Sequence, residues 1–363
     1  MNAILLLFYS LINYTLPGVN EQGDRIYYTG ANSLGLGGVS VIFENGDNPA
    51  GTGLNDKISL YLNGLIYSGI EKRGLRVYDS YGNNVGVSTI ANNHINNVAP
   101  GLMALTLPLK FLRLGLRYQP LWDFNYLYYY EYRDDFYQIT EIVKDHYNGG
   151  VSSAAPIISV SSHFLKIGVE EDFLYGKIER EFKRLFPEGR DSIVNIAHHL
   201  DGRRIKWGLL LTPFINLTLG YSYADRYKLK SDSGSFIYPG SHTTGIAFQP
   251  PNRIPTKFLI EIGYEKWDRP IYVYKFGIEH TIIFKHKLRY GFCLFPDYRE
   301  PSIWTTNLTL GFGTNIKNYC FDIGFGYGKR NYANTDFGGL DISEKYLFDE
   351  TLCHLLFSLG LSF

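Results

Sequence analysis

The sequence predicts an all-β protein: a transmembrane antiparallel β-barrel of about 14 strands with an N-terminal hatch inside the lumen. Three observations predict it. From residue 57 to the C-terminus, apolar and polar residues alternate with a period of two, which puts alternate side chains on opposite faces of a strand. The apolar face ends in Tyr, Trp and Phe, as a strand crossing into a bilayer interface should, while the polar face carries glycine and charge, which suit a lumen better than a packed core. Finally, a glycine-rich stretch precedes the first strand. The 30 Tyr and 24 Phe of this 363-residue chain favour strands in the same way.

In chain order, Ala3 to Ile12 (AILLLFYSLI) resembles the apolar core of a secretory signal, although no basic residue precedes it. Residues 1–16 are read as a signal peptide, with a short hydrophobic anchor or an imperfect start site as the other readings. Residues 17–54 are read as the hatch. Its centre, Gly30 to Leu54 (GANSLGLGGVSVIFENGDNPAGTGL), holds seven glycines, which make a regular helix or long strand costly. Such a segment stays compact when something larger encloses it and supplies its backbone partners. Asn48 precedes Pro49, so its backbone is biased to extended geometry, and its amide can hydrogen-bond the backbone of the turn. Ala50 and Gly51 keep the turn narrow, and Glu44 and Asp47 offer charge to the wall. These six residues are the candidate gate; the other reading is a turn that guides the chain into its first strand.

Residues 55–363 are read as the barrel. Strands are expected near 57–67, 101–109, 112–120, 156–163, 165–176, 203–211, 215–227, 243–249, 256–265, 271–282, 288–296, 303–313, 319–328 and 351–363. The last is the clearest: Leu355, Phe357, Leu359, Leu361 and Phe363 alternate with Ser358, Gly360 and Ser362. Short connections fall on one side and long insertions, at 68–100, 121–155, 177–202, 228–242 and 329–350, fall on the other, as an even strand number requires. Within 121–137, Trp122, Phe124, Tyr126 and Tyr128 are candidate contacts for a hydrophobic ligand; the alternative is that the strands extend past the bilayer behind an aromatic girdle. Within 177–200, Ile178, Phe182, Leu185 and Phe186 fall at helical spacing up to Pro187, which predicts a short helix over the barrel mouth. Phe182, Leu185 and Phe186 are further candidate contacts.

Lys plus Arg and Asp plus Glu both number 35, so charge does not point to nucleic acid as a partner. No hydrolase, zinc-protease, phosphate-loop or EF-hand spacing is present, and no nucleophile with a base can be nominated. The sequence therefore predicts no enzyme, cofactor or metal site. His198–His199 with Asp201 reads as a solvated loop. Glu170, Glu171 and Asp172 read as a hydrated face or a contact for lipid-associated cations. Cys293, Cys320 and Cys353 lack paired spacing and are expected as buried free thiols. Beyond the N-terminus no run approaches the length of a helical membrane span.

The pattern G-x-x-x-x-G-x-G-G (Gly30, Gly35, Gly37, Gly38), the segment Glu44 to Asp47 and the turn Asn48-Pro49-Ala50-Gly51 resemble the long-chain fatty-acid transporter (FadL) family. RIKWGLLLTPFINLTLGYSY (Arg204 to Tyr223) looks like one of the family's strand–turn–strand units, and Phe363 like its terminal aromatic. The resemblance implies a plugged fourteen-stranded barrel in the outer membrane of a diderm bacterium, surrounded by outer-membrane lipid. It implies passive uptake of hydrophobic small molecules or lipids, such as long-chain fatty acids, through a lateral gap in the wall. It also implies insertion by a barrel assembly machinery that reads Phe363. Arg113, Arg117, Arg204, Lys206, Glu261, Lys275, Glu279, Arg289 and Asp322 depart from a wholly apolar channel, and are expected to pair with one another or with the hatch. A related PorV-like branch shares the architecture but handles secreted proteins, and is the alternative function.

Overall fold

The computed structural model describes residues 24–335 and 345–363, except 233, 284 and 299. The signal-peptide reading and the first part of the hatch reading, residues 1–23, lie outside them. Fourteen antiparallel strands form a closed sheet. They are β1 (Ser59–Tyr78), β2 (Asn84–Leu109), β3 (Leu112–Asp123, then Tyr126–Arg133), β4 (Ile139–Ser161), β5 (Leu165–Leu185), β6 (Ser192–Phe214) and β7 (Leu217–Ala224, then Tyr227–Ser231). The wall continues with β8 (Gly234–Tyr238, then Ser241–Phe248), β9 (Thr256–Lys266), β10 (Pro270–Ile282), β11 (His286–Pro296), β12 (Trp304–Ile316), β13 (Tyr319–Thr335) and β14 (Lys345–Ser362). The closing ladder joins β14 to β1, from Leu347↔Gly74 to Ser362↔Ser59.

The period-two pattern does what it predicts. On β6, Ile205 and Trp207 are exposed while the alternating Arg204 and Lys206 are buried; on β13, Phe321, Ile323, Phe325 and Tyr327 all face outward. A strand whose outward residues are this apolar is stable only against hydrocarbon. The closed barrel with its apolar outer band fits the outer membrane of a Gram-negative bacterium. Among the described residues no helix is long and apolar enough to cross a membrane.

The long insertions are corrected by the structure. Most of 68–100, 121–155 and 177–202 is strand rather than loop, so β1 to β6 are tall hairpins, β2 alone running for 26 residues. About 9–11 residues suffice to cross a bilayer, so this wall rises far beyond it. The helix expected in 177–200 is absent. Residues 177–185 continue β5, pairing Glu179 with Ala197 and Phe182 with Val194. Isolated helical turns are marginal, whereas β4 and β6 offer a ladder on each side of this segment. The thiols need a correction too: only Cys293 is buried, Cys320 and Cys353 being half-exposed.

Candidate functional site

The described N-terminal segment is held by inward-facing groups from strands all around the barrel. A two-residue strand, Asp24–Arg25, pairs with Trp122 and Asp123 of β3. A short helix α1 (Ala31–Gly35) lies against β12, β13 and β14, and a 3₁₀ turn (Pro49–Leu54) lies against β4, β5 and β6. Ala31, Leu34, Leu36, Val39, Val41 and Ala50 are fully buried.

Wall glycines make this approach possible. A side chain on Gly208 of β6 would come within 1.8 Å of the Asn48 amide, and one on Gly291 of β11 within 2.5 Å of the Gly37 nitrogen. Gly37 itself has φ +67, a left-handed conformation that glycine adopts without steric cost. These wall glycines are therefore seats for this segment.

Asn48 is extended (φ −100, ψ 118) and completely buried. Its Oδ1 accepts from Ala50 N at 3.0 Å, and its Nδ2 donates to Val41 O at 2.8 Å and Leu209 O at 3.1 Å. Pro49, Ala50 and Gly51 are buried beside it. Asp47 accepts from Lys206 Nζ at 3.3 Å, and the surrounding cations hold its carboxyl below the usual range in spite of burial. Glu44 is half-buried; loss of water and the nearby Asp56 push its carboxyl up to about 7 against the pull of Lys287.

The charged lumenal residues form a paired collar. Glu170 meets Arg117 at 3.0 Å and Lys206 at 2.8 Å, and Asp172 meets Arg204 at 2.8 Å. Glu170 and Asp172 are thus fully buried rather than hydrated; alternation turns only Glu171 outward, toward Arg203. Glu261 bonds Lys275 at 2.7 Å and also accepts Ser40 N at 2.6 Å and Val41 N at 2.7 Å. Arg289 bridges Glu279 and Asp322. Arg113 donates to Asn55 O at 2.5 Å and to Asp56 at 2.8 Å. Buried charge is tolerable only when paired in this way.

Above the collar, aromatic residues fill the upper lumen. Trp122, Phe124, Tyr126 and Tyr128 stand on β3 rather than on a loop, buried in one cluster with Tyr147, Tyr227, Tyr238 and Phe348. Phe182 and Leu185 stand half-buried at the outer end of β5, with Phe186 following. His198, His199 and Asp201 stand on β6, and among the described residues no cluster of metal-ligating side chains occurs. Phe363 is exposed, its backbone N–H donating to Ile58 O at 2.9 Å.

Between this cluster and residues 24–28 lies a cavity of about 240 Å³. Trp122 and Tyr126 line it, whereas Phe124, Tyr128, Phe182, Leu185 and Phe186 do not. The cavity reaches a break in the wall. The ladder between β2 and β3 stops at Met103↔Tyr118, although β2 continues to pair with β1 and β3 with β4. Pro100 and Pro120, one on each bank, both line the cavity. Proline has no N–H to donate to a ladder, and the register of β1 and β2 shifts between Leu62↔Met103 and Gly64↔Pro100. Two prolines inside strand patterns were the signal that could have located this break from sequence.

No protein-family model and no curated protein sequence matches the chain. Solved structures do. The toluene transporter TodX of P. putida superimposes with a TM-score of 0.66 at 14% identity, covering 93% of this chain and 99% of that one. The fold is that of the FadL-type barrels. A Pseudomonas aeruginosa FadL homologue gives a TM-score of 0.63 at 11% identity, over 93% of this chain and 98% of that one. The Ralstonia pickettii toluene transporter TbuX gives 0.61 at 14%, over 93% and 99%. TodX and TbuX carry the name of transporters.

Proposed function

We propose that this barrel is a channel for passive uptake of hydrophobic small molecules, with the N-terminal segment as its hatch. The observation that carries the reading is the continuity of the cavity with the stretch where β2 and β3 do not pair with one another, the β3 edge at Trp122 and Asp123 pairing instead with the N-terminal segment. An apolar solute gains by leaving water and gains nothing from a lumen crossed by a charged collar. A side exit into the bilayer spares it that passage. Ligand enters through the aromatic upper lumen, rests beside residues 24–28 and leaves between the two proline banks. Small aromatics and aliphatic chains such as long-chain fatty acids are both candidate cargo, outer-membrane lipid is the receiving phase, and Phe363 is the candidate signal for the assembly machinery.

Gating falls to the Asn48–Gly51 turn, a rigid element held by a few polar contacts. The double variant Asn48→Ala, Pro49→Ala should fold, yet change the rate at which proteoliposomes carrying the full chain take up a fluorescent hydrophobic probe. An unchanged rate in a correctly folded variant would reduce the turn to a linker.

A further inference from the structure

The cavity is lined unevenly in charge. Among the described residues its carboxylates are Asp24, Glu71, Asp123, Asp297 and Glu350, and its permanent cations are Arg25 and Arg330. Both arginines are engaged: Arg25 with Glu265, and Arg330 with Glu350 at 2.6 Å. Glu71 is matched by Arg73 at 2.6 Å. Among the described residues Asp24 and Asp123 have no cation this close. Arg330 stands 3.9 Å from Asp24, and Asp123 accepts from neutral donors: the Asn125 backbone and side-chain amides at 2.9 Å and 2.5 Å, the Asn97 side chain and the Phe124 backbone.

These two carboxylates are also cross-strand partners. Asp24 lies directly opposite Asp123 in the short antiparallel ladder, which brings the two Cβ atoms to about 4.5–5.5 Å on one face. Like charges in that position repel, and a cation between them relieves that repulsion. The side chain of Asp24 is 48% exposed, on the cavity wall. Tyr27, Trp122 and Tyr298 line the same space, and aromatic rings attract cations as well as apolar rings: the Arg25 guanidinium already stands 5.3 Å from the Tyr27 ring centre.

We propose that the cavity selects compact aromatic amphiphiles with an ammonium head, held between Asp24 and Asp123, and discriminates against carboxylates, fatty acids among them. The inference rests on the uptake reading and narrows its substrate class. The ring lies against Tyr27, Trp122 and Tyr298, the head is paired by the two aspartates, and release through the β2–β3 break follows exchange of that pairing for water or lipid phosphate. A carboxylate at the same place would be a third negative charge facing the other two.

The test uses the full chain in detergent micelles, with empty micelles as the blank, and three probes that share a ring and chain: 4-phenylbutylamine, butylbenzene and 4-phenylbutanoate. The amine should bind at least about tenfold tighter than the carboxylate, a difference of about 1.4 kcal/mol, with butylbenzene between them. Asp24→Asn and Asp123→Asn, singly and together, should lower amine affinity toward that of butylbenzene and raise that of the carboxylate. Asp24→Asn changes only the N-terminal segment, so it keeps the test decisive if Asp123→Asn folds poorly. Carboxylate binding as tight as amine binding, or a ranking that Asp24→Asn leaves unmoved, would overturn the charge selection while leaving hydrophobic uptake standing. Failure of all three probes to bind folded protein would overturn both readings together.

Discussion

The lower and upper halves of the lumen solve one problem in opposite ways. Both are walled by strands whose inward residues must be satisfied without bulk water. In the lower half the wall provides glycine and charge, and the N-terminal segment completes it: Gly208 admits Asn48, Glu261 takes two backbone N–H groups, and Lys206 joins Asp47 to Glu170. In the upper half the wall provides rings, and the strands complete one another: Tyr227 stacks on Tyr238 with centroids 4.8 Å apart, and Tyr332 on Phe348 at 4.7 Å. Polar pairing is directional and depends on one placement of the segment. Ring packing has a broad set of acceptable geometries, so it can open around a guest. The lower half therefore suits a seat and the upper half a path.

Breaking the seat should have the larger effect. Lys206→Met leaves Glu170, Asp47 and Asp172 short of a buried cation, and removing one partner of a buried pair typically costs about 3–5 kcal/mol. Denaturant unfolding of the barrel in micelles or vesicles should show a loss of that order. A loss below about 1 kcal/mol, the range of surface pairs, would mean that water already enters the collar.

Gly208→Val tests whether the segment or the wall owns the seat. The added side chain meets the Asn48 amide, so residues 24–54 should become open to limited proteolysis while the barrel stays heat-modifiable on gels. Protection equal to that of the parent chain would show that the turn can be re-seated.

The smallest effect concerns pH in the upper half. Loss of water pushes the Asp24 carboxyl up to about 7; Arg330 opposes the shift, and Glu350, Asp297 and Asp123 add to it. Asp24 is thus largely neutral below that value and charged above it. An alkylammonium keeps its charge across this range, its pKa lying near the lysine value of about 10.4. Amine affinity should therefore rise as pH increases through about 7, by no more than roughly tenfold, and Asp24→Asn should flatten the profile. A rise that survives Asp24→Asn would place the titration on another carboxylate.

The sequence alone determined the strand number, the inward and outward faces, and many of the lumenal charges. All of these follow from a period of two, which is local: a side chain's face is decided by its neighbours along the chain. Strand length was not legible, because whether 177–185 continues β5 depends on Ser192 to Ala197 waiting beside it. The helical spacing of Ile178, Phe182 and Leu185 was a local signal outweighed by that ladder. Glu170 and Asp172 looked hydrated for the same reason, since their cations Arg117, Arg204 and Lys206 come from strands on either side. Only the tertiary structure decided where the ladder fails, which space the failure opens, and that Asp24 faces Asp123. These are pairings between residues far apart in the chain, and no local pattern records which distant backbone a strand edge will meet.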